Sequence, residues 1–200
     1  RLVFPALHFT SGAVRAVRDG FNPEQGKFEV TGGEMADGVV RTFAAGYDRS
    51  PRVSPDGRRI AYASGSRLYV RDLEGFLPVE VPESQNATQP FWSPDGSQLG
   101  FVRDRKIWAV TLAGGQVAAL CAVPGSGGCN GCCWTKDGAI LFSAYRGGLY
   151  EAPARGGDPR LLLAPDSSEV DFHFPEILPD GRHALFVAHK KSGPLFASVV

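Results

Sequence analysis

One four-residue pattern, returning four times in phase, constrains this chain more than any other feature. Ser54-Pro55-Asp56-Gly57 recurs as Ser93-Pro94-Asp95-Gly96, as Thr135-Lys136-Asp137-Gly138 and as Leu178-Pro179-Asp180-Gly181. The four Asp residues stand 39, 42 and 43 positions apart. Each position has a physical role. Pro presets φ for the second residue of a type I turn, Asp tolerates the third, and Gly accepts the exit conformation. A hairpin closed this way belongs to the short-loop class.

The flanks repeat as well. A short apolar or aromatic stretch precedes each turn: Arg52-Val53, Phe91-Trp92, Cys133-Trp134 and Ile177-Leu178. An alternating strand follows, with Ile60 and Tyr62, Leu99 and Phe101, Ile140 and Phe142, Ala184 and Phe186. Alternation with period two puts each pair on one sheet face. A third strand reads Leu68-Tyr69-Val70, Ile107-Trp108-Ala109, Leu149-Tyr150-Glu151 and Leu195-Phe196-Ala197. A Gly turn then leads to a fourth strand at 77–81, 117–123 and 160–163; the last unit stops before its own. The aromatics Tyr69, Trp108, Tyr150 and Phe196 occupy equivalent positions, which reads as packing rather than a ligand box.

Four short strands per unit at this spacing predict an all-β chain, a β-propeller of four-stranded antiparallel blades. A sandwich could use the same hairpins but has no reason to repeat them in fours. Residues 50–200 hold four blades, the last incomplete. Residues 1–49 read as a partial blade or edge strands and loop. Within them, strands are expected at 2–9, at 28–30 and at 38–46, and a loop at 19–27. The chain reads as a piece of a longer polypeptide. If the native ring has more blades, exposed end faces are expected to promote association of the fragment.

The repeated Trp-Ser-Pro-Asp-Gly with its following apolar strand resembles the WD40-like, TolB-type β-propeller repeat over about residues 50–200. The third unit departs from it with Thr135-Lys136, and the fourth with Leu178; both keep the Asp-Gly turn. A narrower resemblance covers residues 89–188. Pro90-Phe91-Trp92-Ser93-Pro94-Asp95-Gly96 leads to Ala113-Gly114-Gly115, Gly148-Leu149-Tyr150, Arg155-Gly156-Gly157-Asp158-Pro159 and Leu178-Pro179-Asp180-Gly181-Arg182-His183. This order is similar to the propeller region C-terminal to the kinase domain of bacterial transmembrane serine/threonine protein kinases. That resemblance implies a sensing or interaction module outside the cytoplasm, tethered by a span outside this segment. The Cys-rich loop departs from it.

Composition narrows the partners. The chain has 21 Lys+Arg and 21 Asp+Glu, a formal net charge of zero. A nucleic-acid binder needs a basic face to neutralise phosphates, and no Lys/Arg run exceeds two residues. No stretch approaches the roughly 20 apolar residues of a membrane span. The expected partner is a protein or small ligand on the propeller loops or channel, with no nucleic acid.

Catalytic motifs are missing from the sequence. It has no His-Arg-Asp or Asp-Phe-Gly run, no Gly-x-Ser-x-Gly elbow and no His-Glu-x-x-His. Gly125-Ser126-Gly127-Gly128-Cys129-Asn130 starts like a phosphate loop but lacks the Lys-Ser/Thr, and reads as an inter-blade connection. Neither catalysis nor a cofactor is expected. Cys121, Cys129, Cys132 and Cys133 include a C-x-x-C pair. Plain packing, a disulfide from Cys121 to a loop cysteine, and a metal clip are the three readings. His173, His183 and His189 lie near Asp171 and Glu176; they read as surface and turn-stabilising residues before a metal or acid–base cluster. Asp56, Gly57, Asp95, Gly96, Asp137, Gly138, Asp180 and Gly181 read as turn formers. Asn86-Ala87-Thr88 fits a glycosylation sequon.

Three functions suit such a module: a sensing or interaction propeller attached to a kinase, a TolB-like scaffold in the cell envelope, and the gating propeller of a prolyl-oligopeptidase-type serine peptidase.

Overall fold

The computed structural model describes residues 21–22, 27–28, 49–75, 77–192 and 196–199. The chain divides into two compact units, Arg1–Asp48 and Arg49–Val200. In the first, β1 (Phe21–Asn22) pairs antiparallel with β2 (Lys27–Phe28). The stretch 19–27, expected to be loop throughout, therefore holds β1 and the first residue of β2. The strands expected at 2–9 and 38–46 lie outside the described residues, as do residues 29–30.

The second unit is all β, with no α-helix among the described residues. The first sheet is β3 (Arg49–Val53), β4 (Arg59–Ser64), β5 (Arg67–Asp72) and β6 (Val79–Glu80). The second is β7 (Thr88–Trp92), β8 (Gln98–Arg103), β9 (Lys106–Thr111) and β10 (Val117–Ala122). The third is β11 (Cys129–Trp134), β12 (Ala139–Ala144), β13 (Leu149–Pro153) and β14 (Arg160–Leu163). The fourth is β15 (Glu169–Ile177), β16 (Ala184–Lys190) and β17 (Phe196–Val199). Every sheet is an antiparallel meander with its strands in chain order. The first strands of successive sheets lie against one another, β3 to β7, β7 to β11 and β11 to β15. That arrangement is a propeller.

Three boundaries differ from the sequence reading. The fourth strand of the first sheet is only Val79–Glu80, because Leu77 and Val79 are exposed and gain little by extending the ladder. β10 ends one residue early, at Ala122. The connection after β10 stops at Gly128, because Cys129 already pairs with Ala144.

Alternation sorts each second strand between two neighbours. Leu99 and Phe101 join Leu68, Ala61 and Val81 of the first sheet. Val102, on the other face, joins Ile140, Phe142 and Ile107 between the second and third sheets. Phe172 and Phe186 meet Leu149 in the next layer, ring against ring at 4.9 Å. Both faces of the inner strands are thus covered, which is why isolated blades cannot bury their apolar surface but stacked ones can. Gly100 shows how tight this is: a Cβ there would lie 2.2 Å from the Phe91 ring.

Each first strand also breaks at the same place. Register slips between Arg49 and Arg52, Thr88 and Phe91, Cys129 and Cys132, and His173 and Glu176. At the slip, φ turns positive at Ser50 (55°), Gln89 (53°), Gly131 (142°) and Phe174 (51°). All four lie six residues before their turn Asp. Pro51, Pro90 and Pro175 follow three of them. Proline cannot donate to a ladder, and a bulge is where a strand tolerates it. The third unit breaks at the same position with Gly131, at a φ of 142° that the other three do not adopt. A Cβ on it would sit 2.7 Å from the Phe174 Cα, so these two bulges abut.

Candidate functional site

The two ends of the blades differ in chemistry. At one end lie the four Asp-Gly turns. Gly57, Gly96, Gly138 and Gly181 donate their N–H to Ser54, Ser93, Thr135 and Leu178, at 2.9, 2.9, 3.3 and 2.8 Å. Their φ values of 71°, 68°, 84° and 70° are ones that a side chain resists. The Asp carboxylates lock the turns from outside. Ser54 and Ser93 donate to Asp56 and Asp95 at 2.5 and 2.6 Å, and Thr135 donates to Asp137. The Ser54 and Ser93 hydroxyls accept the N–H of Arg59 and Gln98, both at 2.9 Å. Leu178 has no hydroxyl; in its unit His183 Nδ1 lies 2.6 Å from Asp180 instead.

These bonds stabilise the ionised carboxylates. The Ser93 hydroxyl and the Ser97 N–H hold Asp95 down at about 2. The Arg182 N–H and His183 hold Asp180 down to about 2, and Ser54 lowers Asp56. Each carboxylate bonds within its own turn. An open groove of about 570 Å³ runs between the second and third blades here, lined in part by Asp95, Lys136, Asp137 and Arg155. Its charges are mixed and do not converge.

Cys121, Cys129 and Cys132 belong to the core between the second and third sheets, and Cys133 lies beside Glu176 and Ile177 of β15. All four cysteines are buried free thiols, so the disulfide from Cys121 is not formed. The Cys129 and Cys132 sulfurs are 3.0 Å apart, and Cys129 donates to the Gly131 carbonyl at 3.2 Å. Burial pushes the Cys121 thiol up to about 11 and Cys133 to about 12, and raises Cys132 as well. Among the described residues, no group of three potential metal donors includes a cysteine.

At the other end, the histidines resolve into two sets. His183 serves its turn, and Glu176 is exposed further along β15, opposite Leu185. Asp171, His173 and His189 come together. The ladder dictates this: Asp171 pairs directly with His189, and His173 is two residues along the same strand. The Asp171 side chain is 1% exposed, yet it carries a full set of partners. His173 Nε2 and His189 Nδ1 reach its Oδ1 at 3.0 and 3.1 Å. Asn130 Nδ2 and the Arg146 N–H donate to Oδ2 at 3.0 and 2.9 Å. Burial alone would raise this carboxyl; the Arg146 N–H, the charge of His173 and the bonds from His189 and Asn130 outweigh it and hold it below the usual carboxylate range.

Around the cluster stand exposed aromatics. Phe174, at the bulge, has its ring 5.8 Å from that of His173, and Tyr145 precedes Arg146 in the β12–β13 hairpin. Sequence reading grouped the histidines with Asp171 but missed the parts supplied by the third blade, Asn130 and Arg146. A signal existed: Thr88, Asn130 and His173 share one repeat position, seven residues before the turn Asp, and differ in chemistry.

The chain is similar to several known proteins. No family model matches it. TolB from Acinetobacter baumannii superposes with a TM-score of 0.68 at 21% identity, covering 86% of this chain and 45% of that one. A putative TolB from Agrobacterium tumefaciens gives 0.64 at 19% identity over 82% of this chain and 66% of its own. The Cps50 (Swd1) β-propeller domain of Myceliophteria thermophila gives 0.61 at 14% over 75% and 51%. In sequence, an uncharacterized peptidase, YuxL, of Bacillus subtilis is 28% identical over a 109-residue alignment covering 46% of this chain and 16% of the peptidase. The chain thus spans less than half of the first TolB and a small part of the peptidase. Together with the strand order, the structural likenesses establish the fold: an all-β propeller of TolB-like four-stranded blades.

Proposed function

We propose that this segment is a non-catalytic binding module that presents the loop end of its blades to a protein partner outside the cytoplasm. The observation that carries the reading is the exposure of Phe174 and Tyr145, at 62% and 48%, beside the Asp171 cluster. Large aromatics on a rigid frame are what protein interfaces favour. Phe174 is moreover fixed at positive φ in a bulge, a cost that a solvent-facing side chain does not repay within the fold. The acids at the turn end bond within their own turns. A small ligand in the channel is the other partner class.

For the parent chain, the order of motifs over residues 89–188 supports attachment to a bacterial serine/threonine kinase through a membrane span. The TolB likeness supports an envelope scaffold without a kinase. A second reading has its own observation: similarity to the YuxL peptidase favours a gating propeller followed by a serine hydrolase.

One experiment separates these. The intact native polypeptide is incubated with labelled ATP and, separately, with a fluorophosphonate probe, and adducts are mapped by proteolysis. Phosphoryl transfer dependent on residues upstream of this segment supports the kinase context. A fluorophosphonate adduct downstream supports the peptidase. An adduct on a serine within residues 1–200 contradicts the non-catalytic reading.

A further inference from the structure

We propose that Asp171, His173 and His189 form a binding site for a divalent transition-metal ion of the zinc class. The site extends the module's chemistry beyond partner docking and does not depend on which parent chain carries it.

The donor set is the first argument. Two imidazole nitrogens and one carboxylate oxygen suit Zn²⁺ and its d-block neighbours rather than Mg²⁺ or Ca²⁺, which take oxygen. The three donor atoms all lie within 4.8 Å of one another. Tetrahedral zinc bonds of about 2.0–2.1 Å give donor–donor edges of roughly 3.3–3.4 Å. The two imidazole–carboxylate separations, 3.0 and 3.1 Å, already approach such edges.

Preorganisation is the second. The donors sit on paired strands, so their spacing is set by the ladder and not by loops. Asn130 and the Arg146 N–H bind Oδ2, leaving Oδ1 as the single oxygen aimed at both imidazoles. Such outer partners orient ligands in metal sites. The third argument is charge. A buried carboxylate favours a cation, and among the described residues the only ion-pair partners Asp171 has within 4.0 Å are the two histidines. The Arg146 guanidinium instead lies 5.6 Å from the Tyr145 ring.

The site is open on one side. The His173 and His189 side chains are 25% and 43% exposed. Three protein ligands leave at least one position for water, or for a carboxylate or imidazole from a docked partner.

The test is titration of the intact, chelator-treated polypeptide with ZnCl₂ by calorimetry, and with CoCl₂ by visible absorption. The expected result is one ion per chain, with cobalt bands typical of nitrogen and oxygen ligands and no thiolate charge-transfer band. His189→Gln changes a part-exposed side chain and is expected to keep the fold by circular dichroism while weakening binding at least tenfold. His173→Gln is expected to do the same. Cys129→Ser with Cys132→Ser is expected to leave binding unchanged. Absence of binding, binding that survives both histidine variants, or binding abolished only by the cysteine variant would each overturn the proposal.

Discussion

The two ends of the blades use carboxylates in opposite ways. Asp56, Asp95, Asp137 and Asp180 recur at one end, and each is spent on its own turn. Asp171 occurs once at the other end. It is buried and gathers groups from two blades: His173 and His189 from its own sheet, Asn130 and Arg146 from the third. The repeated acids build a frame, and the unrepeated one builds a site. In a repeat protein the departures from the repeat are where function is to be sought, because the frame needs only what every unit shares.

The largest test of that contrast lies where site and frame meet. Gly131→Ala puts a side chain at φ 142° and 2.7 Å from the Phe174 Cα. Backbone strain and overpacking together are expected to cost about 3 kcal/mol in urea unfolding. A loss within experimental error would show that the bulges do not abut.

Asp171→Ala comes next. It leaves the Arg146 N–H without its acceptor and the Asn130 amide with only the Phe172 carbonyl, at an expected cost of about 2 kcal/mol. His189→Gln should cost far less stability while disabling metal binding, which separates site from frame. Equal losses in the two variants would erase the distinction.

At the frame end, Ser93→Ala removes a hydroxyl that accepts the Gln98 N–H and donates to Asp95, and about 1 kcal/mol is expected to go with it. The sign of the pH effect follows from the same bonds. Asp95 is held at about 2 when folded, below its ordinary 3.8. Its stabilisation is therefore present above pH 4 and is lost as pH falls from about 4 towards 2. Asp95→Asn should flatten the acid limb of the stability curve in that window and change nothing at pH 7 beyond a constant offset; an unchanged limb would count against the turn bonds. The smallest signal concerns the thiols. With Cys121 and Cys133 pushed up to about 11 and 12, alkylation at pH 8 is expected only after denaturant is added.

The frame was legible because its physics is local. Pro, Asp and Gly specify a turn within four residues, and the period-two pairs flanking it name the buried faces. Residues Arg160–Leu163 were placed as a strand from sequence and are one. The bulges were not legible: Ser50, Gln89, Gly131 and Phe174 share a register slip and a positive φ but no side-chain chemistry. Their one sign in the sequence is the proline that follows three of them, Pro51, Pro90 and Pro175. For the site, sequence could group His173 and His189 near Asp171 but could not tell them from His183. That choice depends on which residues β16 sets opposite β15, and on Asn130 and Arg146, which lie 41 and 25 residues before Asp171. Contacts between blades carry no local signature.

Hydrogen–deuterium exchange with and without Zn²⁺ tests the division between frame and site most directly. The account predicts slower exchange on Zn²⁺ addition in 129–131, 144–148, 169–174 and 187–190, and no change at the four Asp-Gly turns. Protection at the turns, or none in those four segments, would contradict it.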